Sequence, residues 1–209
     1  MSTYLTKLVP NLRSQEARRD LGNVQRMHQR VMSLFPSDAG PTPRNSLGVL
    51  YRVDEQGNTP SILVQSSVRP ETGQLGNDYD CRGTADIGPL LDWLGQATEI
   101  NYKILVNPVR RMASGPAKGK LVGLSEQEAF NWWASHGSQA GLGALVVATL
   151  RRVDLAGRSH GQSVLLRAWE ITGTASVADA GGLRQAIVNG LGKGRAYGCG
   201  MLSVAPARK

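Results

Sequence analysis

The sequence predicts an α+β fold built from two tandem ferredoxin-like (RRM-like) domains, and three observations carry that prediction. The chain has 209 residues, 41% of them apolar, which suits one large packed domain or two small ones rather than a disordered chain. Strand-like and helix-like segments follow one another as β-α-β-β-α-β. A second run of the same kind follows, less cleanly and without sequence identity to the first.

The first run starts with Tyr4 to Pro10, which alternates and reads as a strand. Ser14 is placed to cap a helical turn with Glu16 in its first turn. Gly22-Asn23 interrupts it, and Asn23 caps a second helical segment, Val24 to Phe35, which Pro36 closes. Leu47 to Val53 and Ser61 to Val68 read as strands joined by Asp54-Glu-Gln-Gly-Asn58. Pro70 to Gly83 reads as polar loop, Ile87 to Leu94 as a short helix, and Asn101 to Val106 as the strand that completes the first domain.

Residues 108–123 read as a basic linker or flap, so the expected domains are 1–107 and 124–209. In the second, Ser125 caps a helix running to about Ser135. Ala144 to Val153 and Ser163 to Thr172 form a hairpin around Asp154 to Gly161. Ser176-Val-Ala-Asp179 reads as a capping box for a helix to Val188, ended by Gly190, and Met201 to Ala205 is the last strand.

Charge narrows the function classes. The net charge is +8, from 24 cations against 16 acids. Eighteen of the cations are arginine, the residue of bidentate phosphate contact and base stacking. Residues 1–100 carry 10 cations and 11 acids, while residues 101–209 carry 14 and 5. A basic half beside a neutral half is a nucleic-acid footprint. The N-terminus lacks a signal-peptide layout, and the longest apolar run, Leu142 to Leu150, is far too short to span a bilayer. The expectation is therefore a cytoplasmic protein with no membrane partner. With only Cys81 and Cys199, a disulfide scaffold and a four-cysteine zinc site are excluded.

Two segments carry chemistry. In Gly190-Leu-Gly-Lys-Gly-Arg-Ala-Tyr-Gly-Cys-Gly200, glycines let the backbone approach a ligand, and free N–H groups can face a phosphate. Gly192, Lys193, Gly194 and Arg195 are its expected nucleic-acid contacts. It is neither a P-loop nor a dinucleotide fingerprint, because it lacks Gly-Lys-Ser/Thr and follows a helix instead of opening one. The second segment holds His28. Val24, Met27, Val31, Leu34 and Phe35 form an apolar stripe at helical spacing, and His28 sits on its edge, with Arg26, Gln29 and Arg30 on the polar side. His28, His136 and His160 have no metal-ligand spacing, and no acidic cluster suits paired magnesium ions, so any phosphoryl chemistry is expected to need no metal or other cofactor.

Tyr4-Leu-Thr-Lys-Leu8, Arg18-Arg-Asp-Leu21, Met27-His28, Asn107-Pro108 and, most specifically, the glycine loop through Met201-Leu-Ser-Val-Ala-Pro206 resemble the CasE family of CRISPR-associated endoribonucleases. The resemblance covers essentially the whole chain. It implies two ferredoxin-like domains, cleavage of precursor CRISPR RNA at a repeat stem-loop, retention of the product, and partnership with other Cascade subunits, the chain being a monomer outside that complex. It makes His28 the catalytic histidine. The family's tyrosine three residues before it is here Gln25, which supplies no phenol but can hydrogen-bond a phosphate.

The expected chemistry is attack of the RNA 2′-OH on the adjacent phosphate, with His28 moving a proton. The products would be a 2′,3′-cyclic phosphate or 3′-phosphate and a 5′-OH. Gln25 and Arg26 beside His28 are expected to touch the RNA. Arg151, Arg152, Arg158 and His160 along the hairpin would grip the stem, and Arg110, Arg111, Lys118 and Lys120 its backbone. A non-catalytic stem-loop-binding subunit is the rival reading. An enzyme acting on a small anionic metabolite fits less well, because the sequence holds no compact acid–base constellation.

Overall fold

A computed structural model describes residues 2–36, 42–56, 59–116, 118–159 and 161–207. Two four-stranded antiparallel sheets and one two-stranded hairpin make up its strands. Among the described residues no helix is long and apolar enough to cross a membrane.

The first sheet holds β1 (Tyr4–Pro10), β2 (Leu50–Gln56), β3 (Thr59–Ser66) and β4 (Tyr79–Asp86), in the order β2-β3-β1-β4. That is the ferredoxin-like arrangement of first, second, third and fourth strands. β4 lies partly within the stretch expected to be loop up to Gly83. Its burial pattern shows why the sequence hid it: Tyr79 is buried, but most of the strand is exposed edge with no apolar alternation. A bulge at Lys7/Leu8 further breaks its register with β1.

Between β1 and β2 run α1 (Gln15–Leu21), α2 (Val24–Met32) and α3 (Pro43–Ser46). Ser14 Oγ caps α1, and Asn23 Oδ1 caps α2 by accepting from the N–H groups of Gln25 and Arg26. The expected stripe is the packed face: Met27, Val31, Leu34 and Phe35 are buried against Leu8, Tyr51, Ile62 and Val64. The corner between α1 and α2 is locked by Asp20, which is 2% exposed. Its carboxylate accepts from Arg26 Nε at 3.2 Å, Arg30 Nε at 2.7 Å and the Tyr79 hydroxyl at 3.0 Å.

The second sheet holds β5 (Glu99–Val106), β8 (Leu142–Ser159), β9 (Gln162–Val177) and β10 (Ser203–Pro206), in the order β10-β5-β9-β8. Here lies the main correction to the expected organisation. Asn101 to Val106 does not complete the first domain; β5 is a central strand of the second sheet, paired with β9 and β10. The short helix α4 (Gly88–Trp93) also packs its Leu91 into the second core, with Trp133, Ile104 and Leu183. The change of domain therefore falls between Asp86 and Glu99, not at 107. A 3-10 turn at Thr72–Leu75 stands where the first unit would carry its second helix, and Leu75 fills that core.

The expected linker is folded too. β6 (Val109–Arg111) and β7 (Leu121–Gly123) pair as a hairpin inside the second domain, just before α5 (Glu126–Gln139). Ser125 caps α5 as expected, and Glu128 completes a box by accepting from the Ser125 N–H and hydroxyl. The box expected at Ser176 is absent: Ser176 is in β9, and Asp179 caps α6 (Ala180–Asn189). The β8–β9 hairpin runs to Ser159 and Gln162, so Asp154 to Arg158 are strand and not turn.

That long hairpin reaches α2. A Cβ on Gly157 would lie 2.6 Å from Asn23 Oδ1 and 2.9 Å from the Val24 nitrogen. Glycine there lets β8 press on the N-terminal cap of the helix that carries His28.

A candidate phosphate-handling site at the meeting of the two domains

The two domains meet through the first sheet and the chain that follows α6. Tyr51 on β2 donates its hydroxyl to the Ala196 carbonyl at 3.1 Å. Gln65 on β3 donates to the Ile187 carbonyl at 2.9 Å, at the end of α6. These contacts seat the glycine loop on the first sheet, beside α2. A 3-10 turn at Arg195–Tyr197 is set between Gly194 and Gly198, both at φ 85°. That left-handed backbone costs an L-residue energy and suits glycine.

The turn delivers Tyr197 to His28. The two rings meet edge-on, with centroids 6.4 Å apart and planes at 73°. His28 is half-buried and opens on a cleft of about 360 Å³ that Met32, Thr42, Arg44 and Ala196 also line. Burial, and then the Arg44 charge, lower the imidazole pKa below its ordinary value. Arg44 is itself half-buried, and Arg195 repels it. Among the described residues neither arginine has a carboxylate partner; Arg44 donates to the Val49 carbonyl and Arg195 to that of Asn189. The result is a half-buried imidazole and the Arg44 guanidinium on one opening, with the Tyr197 ring against the imidazole and the Arg195 charge close enough to act on Arg44. Such a set can take a proton and hold a doubly negative phosphorus centre.

Replacing Arg44 with glutamine removes one cause of the lowered imidazole pKa. In an NMR titration, the His28 midpoint should lie below about 6.5 in the wild type and move upward in Arg44→Gln. A midpoint that stays put or falls contradicts this electrostatic picture.

Arg44 and Tyr197 are the residues that sequence reading did not single out. Tyr197 had a signal, being the aromatic in a glycine loop between cations. Arg44 had none, because only the path of α3 brings it near His28.

The other expected residues divide. Gln25 lies one turn before His28 on α2, half-buried. Arg26 is partly exposed and pairs with Glu16 at 2.5 Å and Asp20 at 3.2 Å. Arg151 pairs with Glu170 at 3.1 Å and Arg152 with Asp154 at 2.9 Å, so neither is a bare cation on the hairpin. Arg158 is exposed near its tip, and His160 lies outside the described residues. On the β6–β7 hairpin Arg110 pairs with Glu128 and Arg111 donates to the Gly119 carbonyl, while Lys118 and Lys120 are exposed.

In the glycine loop, Gly192 abuts Trp132 and Gly194 abuts Asn107 and Cys199. The exposed Lys193 forms a backbone bridge with Asn107. The N–H groups of Leu191, Tyr197, Cys199 and Gly200 bond to carbonyls of the protein itself. The loop therefore works mainly as a rigid arm for its side chains. Among the described residues no three His, Cys, Asp or Glu side chains gather as a metal-holding group.

Fold and site together define a class: tandem ferredoxin-like domains with a histidine–tyrosine–arginine cluster where they meet. The family model described as CRISPR associated protein matches residues 3–206. The chain belongs to that CRISPR-associated family. It is 29% identical to the CRISPR-associated endoribonuclease Cse3 of Thermus thermophilus, over 97% of this chain and 100% of that one. The structure of Thermus thermophilus Cse3 bound to an RNA representing a pre-cleavage complex superposes with a TM-score of 0.79 at 25% identity, covering 99% and 100% of the two chains. A chain of a CRISPR RNA-guided surveillance complex in a pre-nicking state matches with a TM-score of 0.73 at 28% identity, covering 98% and 100%.

Proposed function

We propose that this protein is the endoribonuclease that cuts the repeat stem-loop of precursor CRISPR RNA and then stays with its product as one subunit of an RNA-guided complex. The observation that carries this is the meeting of His28, Tyr197, Arg44 and Arg195 in a chain similar to the CRISPR-associated endoribonuclease Cse3, which has been seen bound to an RNA representing a pre-cleavage complex.

The lowered imidazole pKa makes His28 neutral near pH 7 and so suits it as the base. Its ring nitrogen takes the proton of the 2′-OH. The 2′-oxygen bonds to phosphorus as the bond from phosphorus to the 5′-oxygen breaks. A proton then reaches the 5′-oxygen, from water or from the phenol of Tyr197. Arg44 and Arg195 neutralise the charge that builds on the non-bridging oxygens. The products are a 2′,3′-cyclic phosphate and a 5′-OH. Tyr197, held edge-on, fixes the ring's orientation and brings a phenol to a site where Gln25 has none. The exposed Lys118, Lys120, Arg158 and Lys193 are the cations best placed to bind backbone, ahead of the ion-paired Arg110, Arg151 and Arg152.

The test is single-turnover cleavage of the cognate stem-loop by the wild type in excess EDTA, with and without a 2′-deoxy at the scissile nucleotide. The all-ribose RNA should be cut to cyclic-phosphate and 5′-OH ends, and the deoxy RNA bound but uncut. Cutting of the deoxy RNA would end the 2′-OH mechanism. Binding of both without cutting would leave an RNA-binding subunit.

A further inference from the structure

A second cleft adjoins this site and is not used by the chemistry above. It lies between the β6–β7 hairpin, β9 and the glycine loop, and holds about 470 Å³, within the range of about 300–1,000 Å³ usual for small-ligand sites. Its walls are apolar: Leu121 and Val122 come from β7 and Leu165 from β9. Leu121 is 48% and Leu165 58% exposed, so two large apolar side chains on different elements are left in solvent around one opening. Tyr197 lines the cleft at the glycine-loop side, and the exposed Arg167 and Lys193 add two cations. The walls are fixed relative to one another: a Cβ on Gly123 of β7 would stand 3.1 Å from the Arg167 Cβ.

Apolar walls, one aromatic face and flanking cations match one chemical unit, a nucleotide taken out of its stack. Its base would lie against leucine and tyrosine, and its phosphate would meet Lys193 and Arg167. A bare phosphate would have no use for the leucines, and an apolar peptide none for the cations. Tyr197 joins the two sites, since its ring is also the neighbour of His28. We propose that this cleft takes the unstacked base of a nucleotide adjoining the scissile linkage, and so sets where along the RNA the cut falls. This rests on the function proposed above.

The experiment uses full-length protein and stem-loop RNAs with a single abasic ribose at either nucleotide flanking the cut. Wild type is compared with Leu121→Ala/Leu165→Ala, whose side chains are exposed and whose loss leaves the cores intact. In wild type, one of the two abasic RNAs should bind and be cut roughly tenfold less well. The double variant should lose about as much with intact RNA, and the same abasic change should cost it no more than about twofold further. Penalties that multiply independently would overturn the proposal. So would indifference to both abasic positions, including the case where the leucines serve a protein partner. Failure of wild type to cut intact RNA would instead strike the proposed function, and binding affinity would still decide the cleft.

Discussion

Replacing His28 with alanine is expected to slow single-turnover cleavage of the stem-loop by about 10²–10⁴-fold, with RNA affinity and melting temperature close to wild type. The rate falls because, among the described residues, no other side chain lining the opening is a comparable base near neutral pH. Tyr197 is a phenol, and Arg44 and Arg195 are cations. The fold survives because the imidazole lies at the edge of the packed face of α2. The anchors of that helix are Met27 and Val31 in the core and Asp20 at the corner, all untouched by the change. Binding survives because the exposed cations lie on other elements. The measurement is paired: cleavage with enzyme in excess, and equilibrium binding to the deoxy substrate. Cleavage at the wild-type rate would remove His28 from the mechanism. Equal losses in cleavage and binding would make it a contact, not a catalyst.

The legible part of this protein is the part written in local periodicity. The stripe from Val24 to Phe35 placed His28 at the edge of a packed helix, and there it stands, half-buried. Asn23 as a cap was equally local. What local pattern cannot hold is partnership. The alternation of Asn101 to Val106 marks a strand, but its neighbours are β9 and β10, so the domain boundary moved by a whole strand. β4 went unseen because an exposed edge strand buries too little to alternate. Charge counting pointed to nucleic acid but could not tell a free cation from a paired one: Arg26, Arg151 and Arg152 count as cations in the sequence and are ion-pair partners in the fold. Arg44 reaches His28 only through tertiary structure, from a four-residue helix with no pattern to mark it.

The largest expected loss of stability comes from Arg52→Ala, about 3–5 kcal/mol, or on the order of 10 °C in melting temperature for a chain of this size. Arg52 is 2% exposed on β2, on the side of the first sheet that faces the second domain. Its guanidinium donates to both oxygens of Asp54, at 2.8 and 3.0 Å. It also donates to the Lys103 carbonyl, the Met201 carbonyl and Ser203 Oγ, at 3.3, 3.2 and 3.0 Å. One side chain thereby ties the first sheet to β5 and to the entry of β10.

Burial alone would raise the Asp54 carboxyl pKa, but the hydrogen bonds and charges of Arg52 and Lys103 outweigh it and hold the group ionised. Alanine at 52 leaves that buried carboxylate with Lys103 alone, and Lys103 already shares its charge with Glu170 at 2.9 Å. It also strips donors from interior acceptors, an uncompensated desolvation. Because β5 and β10 flank the glycine loop, the position of Tyr197 against His28 should loosen with it, so cleavage should fall well below the new melting temperature. Arg52→Met/Asp54→Leu separates charge from packing. Removing both members of the pair should recover much of the stability while leaving the tie to β10 unmade. A melting temperature for Arg52→Ala within about 2 °C of wild type, or about 1 kcal/mol at most on this scale, would show that the domains are held by their apolar contacts and not by this guanidinium.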